Sequence, residues 1–312
     1  MSTTERPTTR TRRWVRRVTR TTALTAVLAT FAVVVPDSTV APTEVTFVKV
    51  ERAKGVDLSP DVVWILAIGS DARPWENKIA TRADALQMVG INTKTGAATA
   101  IGVARDSYVD IPGHGRNRIN AAMTFGGPQL QARTMAALIG IEPDYVMVAR
   151  FEGVEGMVRE IGPITVNNPY YFADANLKKE GFQPGKIKLS WYDAMAFSRI
   201  RKGLRDGDFG RSANQQRVIR GIHAKIVEKQ REPGFIEGGV AAVLKHTHTD
   251  ASPAELYRIA QAITQVKSNK ITTCVIKGSI GQAGAASVVF PDVATARRYG
   301  DDARKDATIS RC

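Results

Sequence analysis

Residues 62–70, VVWILAIGS, form a continuous apolar run that ends at a glycine, a serine and Asp71. A strand covered on both faces reads this way, whereas a half-exposed strand alternates polar and apolar. Two more apolar runs follow, ALQMVGI (85–91) and ATAIGVA (98–104), joined by the turn NTKTG. That turn is too short for a crossover, so these two strands are antiparallel. DYVMVA (144–149), ITVN, ITTCVI and ASVVF add further strand-like runs, and VTFVKV is a strand-like piece that can join them. Buried strands need helices against their faces. LQARTMAALIG, after Gly127 and Pro128, stops at Gly140, and FEGVEGMVREIG also ends on a glycine. SWYDAMAF opens on Ser190 with Asp193 three residues later, a capping-box spacing. ANQQRVIRGIHAKIVEKQ carries the apolar stripe Val218, Ile219, Ile222, Ile226 and Val227. SPAELYRIAQAITQV has Ser252 to cap it and Pro253 at its first turn. The fold expected is α/β: a layered α/β/α domain with a central mixed β-sheet.

The 312 residues suffice for one large domain, and 43% of them are hydrophobic, so a core can form. Arg6, Arg10, Arg12, Arg13, Arg16, Arg17 and Arg20, offset by Glu5, carry +6 of the formal net charge of +14. Behind them TTALTAVLATFAVVV (21–35) is uncharged and ends at Pro36. Arginines before such a segment stay in the cytoplasm. The expected organisation is a basic cytoplasmic tail (1–20), a membrane or signal segment (21–36), a linker running into the fold (37–60) and an extracytoplasmic domain (61–312). The segment reads either as a retained single-pass anchor in the cell membrane or as a signal peptide cleaved near Ala41. Cys274 and Cys312 are the only cysteines, too few for a Cys₄ or Cys₂His₂ zinc site. They stand as two free thiols or as one disulfide, and an oxidising location favours the disulfide. Closing that loop of about 39 residues contributes roughly 4 kcal/mol in the chain-entropy picture.

The remaining +8 makes the body basic, which attracts polyanions. No zinc-finger spacing, RRM signature or clear helix-turn-helix is present, so nucleic acid is not an expected partner. Walker A, GxSxG and an ordered Ser-His-Asp set are missing as well. The charged residues instead collect at strand ends. Asp71 follows the first buried strand, Asp84 opens the second and Arg105 ends the third. With the second strand antiparallel to both neighbours, all three share one end of the sheet, with Arg82 beside them. Two carboxylates there can hold Mg²⁺, or Mn²⁺, and nearby arginines can grip phosphate oxygens bidentately. Taken singly, Asp71 reads as a turn cap and Asp84 as an ion-pair partner of Arg82 or Arg105. Arg199 and Arg201 lie two apart, on one face of an extended segment. GLRDGDFGR ends at Arg211, and Gln215 shares its helical face. Gln215 reads as a polar group where an anion would sit, or as a core hydrogen-bonding residue. Arg118 lies in RDSYVDIPGHGRNRINAAMTFGG, read as a ligand loop or a plain surface loop.

Over roughly 62–228 the chain resembles the LytR-CpsA-Psr proteins of bacterial cell envelopes. The resemblance rests on ILAIGSDAR, TRADALQMVGIN, ARDSYVDIPGHG, RINAAMTFGG, FEGVEGMVREIGPITV, AFSRIR and GDFGRSANQQRVI, in that order. It implies an Mg²⁺-dependent phosphotransferase that moves a glycopolymer from a polyprenyl-pyrophosphate carrier to peptidoglycan through a phosphodiester. The alternatives are a phosphatase of the lipid pyrophosphate and an envelope protein that binds polymer or lipid without turnover. The matching positions are Asp71 and Asp84 for the metal, and Arg82, Arg105, Arg199, Arg201, Arg211 and Gln215 for the phosphates, with Asp84 as candidate general base. Arg118 stands where the family commonly has lysine, Asn214 where it has arginine, and Ala104 where it has proline. The polymer stays open between teichoic acid, capsule and arabinogalactan. The alanine- and arginine-rich composition fits a GC-rich actinobacterium.

Overall fold

The computed structural model describes residues 45–51, 61–70, 72–73 and 75–312, except for the side chains of residues 245–246. The basic tail, the 21–36 segment, most of the linker and Asp71 lie outside the described residues. Among the described residues no helix is long and apolar enough to cross a membrane.

The three apolar runs form β2 (Val62–Ser70), β3 (Ala83–Asn92) and β4 (Ala98–Val103), after a first strand β1 (Val45–Lys49). A small hairpin, β5 (Tyr108–Ile111) and β6 (Gly115–Arg118), follows β4. The next strand, β7 (Tyr145–Arg150), lies beside β2 in parallel, and Ser70 pairs both with its Arg150 and with Ala83 of β3. Four short strands come next: β8 (Ile164–Asn168), β9 (Phe172–Asp174), β10 (Lys178–Phe182) and β11 (Gly185–Leu189). They pair as β9 with β10 and β8 with β11, outside the main sheet. The last strands are β12 (Thr247–Thr249), β13 (Ile271–Val275), β14 (Gly278–Ala283) and β15 (Ala286–Pro291). The central sheet runs β12-β1-β7-β2-β3-β4-β13. Its β2–β3 and β3–β4 pairs are antiparallel, whereas β4–β13, β2–β7 and β1–β12 are parallel. The sheet is therefore mixed, and the C-terminal ends of β2 and β4 meet the N-terminal end of β3.

Helices cover both faces of this sheet. Leu66, Leu86, Met88 and Ile101 pack against Met123, Met135 and Leu138 of helix Ala121–Ile139 and Tyr299 of helix Val293–Ala303. On the other face Val63, Ile65 and Tyr145 meet Leu256 and Ile259 of helix Pro253–Gln265. A separate core, built on Phe172, Phe182 and Phe197, joins helices Phe151–Ile161 and Trp191–Arg199 to the small ladders. Helix Ala121–Ile139 is kinked at Gly126 and Gly127, and the expected run after Pro128 is its second part, closed by Gly140 at φ 86°. Ser190 caps helix Trp191–Arg199 by accepting from the Asp193 amide.

Helix Gly207–Lys229 begins six residues before the run ANQQRVIRGIHAKIVEKQ that announced it. Its first half is buried by polar side chains: Asp208, Arg211, Ser212, Asn214, Gln215 and Gln216. That half meets the sheet at Gly102 of β4, where a Cβ would lie 2.3 Å from Ser212 Oγ and 2.9 Å from Gln87 Oε1. Cys274 of β13 is joined to Cys312 by a disulfide, which ties the chain's end to the sheet edge.

Two predictions follow from this packing. Gly102→Ala forces helix and sheet apart and costs about 1–3 kcal/mol, as overpacking does. A urea unfolding midpoint equal to that of the parent would show that the two elements are not pinned there. The second concerns Glu255, which completes a capping box with Ser252 and meets Lys49 Nζ at 2.5 Å and the Tyr145 hydroxyl at 3.0 Å. Burial pushes its carboxyl up, but the hydrogen bonds from Lys49, Ser252 and Tyr145 outweigh burial and hold it at about 2. Because the folded pKa lies below the ordinary 4.5, this stabilisation is complete above that pH and is lost as pH falls toward 2. Glu255→Gln removes the effect, so its urea midpoint changes less than the parent's over that acid range.

Candidate functional site

The end of the sheet where β2 and β4 finish and β3 begins carries the site. Asp84 is the second residue of β3 and is buried. Arg105, two residues beyond β4, donates from Nη1 to Asp84 Oδ1, the pairing that antiparallel order makes possible. Burial works against the Arg105 charge, but Asp84 first, then Asp106 and Asp208, outweigh it and push its pKa above the ordinary value.

Asp106 was not among the expected site residues, yet three arginines surround it. Arg105 Nε lies 3.9 Å from its carboxylate, Arg118 Nε 3.7 Å and Arg201 Nη1 4.0 Å. Arg118 reaches this point from β6, and its Nη2 also donates to the Ser287 carbonyl of β15 at 2.7 Å. Asp208 is the second unexpected carboxylate. It meets Arg211 Nη2 at 2.5 Å and Arg201 Nε at 3.9 Å. The contact with Arg211 is an ion pair misaligned for hydrogen bonding, so both Asp208 oxygens are buried without a donor. Burial pulls the Arg211 pKa down, and Asp208 offsets this only in part, because Arg105 and Arg201 repel the same charge. Gln215 is buried one turn after Arg211 and accepts from Gln87 at 3.2 Å. Its amide nitrogen lies 3.4 Å from the Ser198 carbonyl oxygen.

Arg105, Arg118, Arg201 and Arg211 therefore form one cluster with Asp84, Asp106 and Asp208. Arg199 stands apart from it. As the last residue of its helix it stacks on Phe151 at 4.8 Å, while Ile200 turns inward and Arg201 turns to the cluster. Arg82 is exposed beside Asp84. Asn214 accepts from Arg217 at 2.8 Å, and its amide nitrogen is buried without a partner. Such a cluster can bind a multiply charged anion, because several N–H donors face a region where they are only partly neutralised.

The LytR_cpsA_psr family profile matches residues 32–303. The chain belongs to this family. It is 30% identical over 238 residues to the polyisoprenyl-teichoic acid–peptidoglycan teichoic acid transferase TagU of Enterococcus faecalis, covering 72% of this chain and 76% of that one. It is 34% identical over 174 residues to the TagU of Bacillus licheniformis, covering 55% of each. The fold matches the solved structure of the LytR-CPS2A-psr family protein YwtF (TagT) with bound octaprenyl pyrophosphate lipid. There the TM-score is 0.62 at 21% identity, over 84% of this chain and 96% of the other.

Asp208 and Arg211 are both buried, so cutting the pair strands a charge. Asp208→Ala lowers stability by about 3–5 kcal/mol in urea unfolding. Adding Arg211→Met restores most of that loss. A Asp208→Ala variant as stable as the parent would show that the pair contributes nothing.

Proposed function

We propose that this chain is a glycopolymer–peptidoglycan phosphotransferase working on a polyprenyl-pyrophosphate donor. Family membership and the transferases it is similar to support the reaction class. The observation that carries the reading is the convergence of Arg105, Arg118, Arg201 and Arg211 beside Asp84 at one sheet end. The Cys274–Cys312 disulfide and the apolar segment 21–35 support an extracytoplasmic domain tethered at the cell membrane.

In this reading the arginine forks bind and orient the pyrophosphate. An acceptor hydroxyl of peptidoglycan attacks the phosphorus that bears the glycopolymer. The new P–O bond completes the phosphodiester, and the bond to the bridging oxygen breaks, releasing polyprenyl phosphate. Arg105 and Arg201 stabilise the charge that grows on the phosphoryl oxygens. The hydroxyl proton goes to Asp84, which pairs with Arg105, whereas Asp106 and Asp208 each face more than one arginine.

The donor chemistry also suits Mg²⁺, which takes one or two carboxylates plus phosphate oxygens and keeps several waters. Asp71 and Asp84 would hold it, Asp84 only while it carries no proton. Among the described residues no three His, Cys, Asp or Glu side chains gather into an all-protein cage. When bound, the ion would neutralise phosphate oxygens.

The test uses the full chain in detergent with a lipid-linked glycopolymer, peptidoglycan and Mg²⁺. Polymer should become attached to insoluble peptidoglycan as polyprenyl phosphate is released. Arg105→Ala should slow this by about 10²–10³-fold. Release without attachment would make the chain a hydrolase, and no release would make it a binding protein.

A further inference from the structure

Asp106 has no part in the bond changes above, yet the structure fixes its backbone in place. It lies between β4 and the β5–β6 hairpin. Its carbonyl accepts the Val289 amide of β15 at 2.9 Å, and the next residue, Ser107, is bridged to Val289. The backbone from which the carboxylate projects is thus held against β15 at Val289.

The three arginines around it come from separate parts of the chain: Arg105 after β4, Arg118 on β6 and Arg201 after helix Trp191–Arg199. Their contacts with Asp106, at 3.7–4.0 Å, are too long for hydrogen bonds but short enough for strong attraction. The Nε atoms of Arg105 and Arg118 are buried with no acceptor at all. A carboxylate that forked onto one guanidinium would occupy its donors and leave the other two cations to repel each other. Asp106 instead offsets the repulsion among all three and leaves most of their N–H groups unused. The three forks approach from separate parts of the chain around one carboxylate, an arrangement that can grip oxygens on two linked phosphoryl groups at once.

We propose that Asp106 is the positioning residue of this cradle. It sets the spacing of Arg105, Arg118 and Arg201, and through that spacing gives the site its preference for a pyrophosphate over a monophosphate ester. The proposal rests on the pyrophosphate reading above and deepens it.

The experiment is calorimetric titration of the full chain in detergent with geranylgeranyl pyrophosphate and geranylgeranyl monophosphate. Thermal midpoints check folding. Asp106→Glu keeps the charge but moves the carboxylate outward by one methylene. It should weaken pyrophosphate binding by about 10-fold or more and monophosphate binding far less, so selectivity falls. Asp106→Asn removes a negative charge beside an anion. As a mere counter-charge its loss would tighten both ligands, whereas positioning requires that pyrophosphate binding weaken. Should the asparagine variant not fold, the glutamate variant decides alone. Unchanged affinities in Asp106→Glu, or tighter pyrophosphate binding in Asp106→Asn, overturn the proposal and leave the pyrophosphate reading standing. A parent protein that binds neither lipid overturns both.

Discussion

Gln87 sits in the middle of β3 with 1% of its surface exposed, so its amide must find every partner inside the protein. Its nitrogen lies 2.9 Å from Ser212 Oγ and 3.2 Å from Gln215 Oε1, and its oxygen accepts from Gln216 Nε2 at 3.0 Å. Gln216 Nε2 is also 2.8 Å from the Cys274 carbonyl and 3.3 Å from that of Ala100. Strands β3, β4 and β13 are thereby joined to one helix through amides that cannot be removed singly. Each orphaned group in such a place costs about 1–3 kcal/mol. The network also sets the height and rotation of the helix. Arg211 and Asp208 lie on the turn just before Ser212, so the helix arginine reaches the sheet-end cluster only because the glutamines are seated.

The cluster itself is a problem in charge. Four guanidinium groups gathered at one sheet end repel one another, and burial adds a desolvation cost. Three aspartates answer this unevenly. Arg105 has Asp84 as a close partner with two more carboxylates behind, and its charge is favoured. Arg211 is disfavoured first by its burial, which Asp208 offsets only in part while Arg105 and Arg201 repel the same charge. On the helix side the charges are thus balanced less well than at Arg105, with Arg211 buried and both Asp208 oxygens lacking a donor. Arg82 and Arg199 hold no carboxylate in the cluster: both are exposed, and Arg199 stacks on Phe151 instead.

Much of this was legible in the residues. Apolar runs and one short turn were enough to place β2, β3 and β4 and to bring Asp84 and Arg105 to the same end. Ser190 and Ser252 announced their helices because an N-cap is a local contract between residues three apart. What stayed hidden was long-range or irregular. Asp106 follows Arg105 directly, but nothing local says that Arg118 and Arg201 return to it. Asp208 lies in a stretch dense in glycine and charge, yet it falls in the first turn of helix Gly207–Lys229. Helix Phe235–His246 was masked by Gly238 and Gly239, which weaken a helix in isolation but leave this one intact. Helix Val293–Ala303 went unread, although Asp292 caps it, because it carries few large apolar residues. Its Gly300 lets it approach helix Ala121–Ile139 so closely that a Cβ would lie 1.9 Å from the Ile139 carbonyl oxygen.

The C-terminal third is best understood through these same contacts. From Pro233 onward the chain changes composition and reads as the tail of the domain. Yet Ser287 receives a hydrogen bond from Arg118, Val289 holds the Asp106 backbone, and Lys277 pairs with Asp206 at 2.8 Å just before the long helix. An arginine at position 118 is what links the first and last of these regions. One end of its guanidinium meets the Ser287 carbonyl while Nε faces Asp106, two directions at once. A lysine is a single point charge on a flexible stem and could serve only one of them. Arg118 thus has a structural partner: in this chain the cluster is buttressed by the β14–β15 hairpin, which the disulfide anchors through the adjoining strand β13. Loss of that hairpin would act on the arginines before it acted on the sheet.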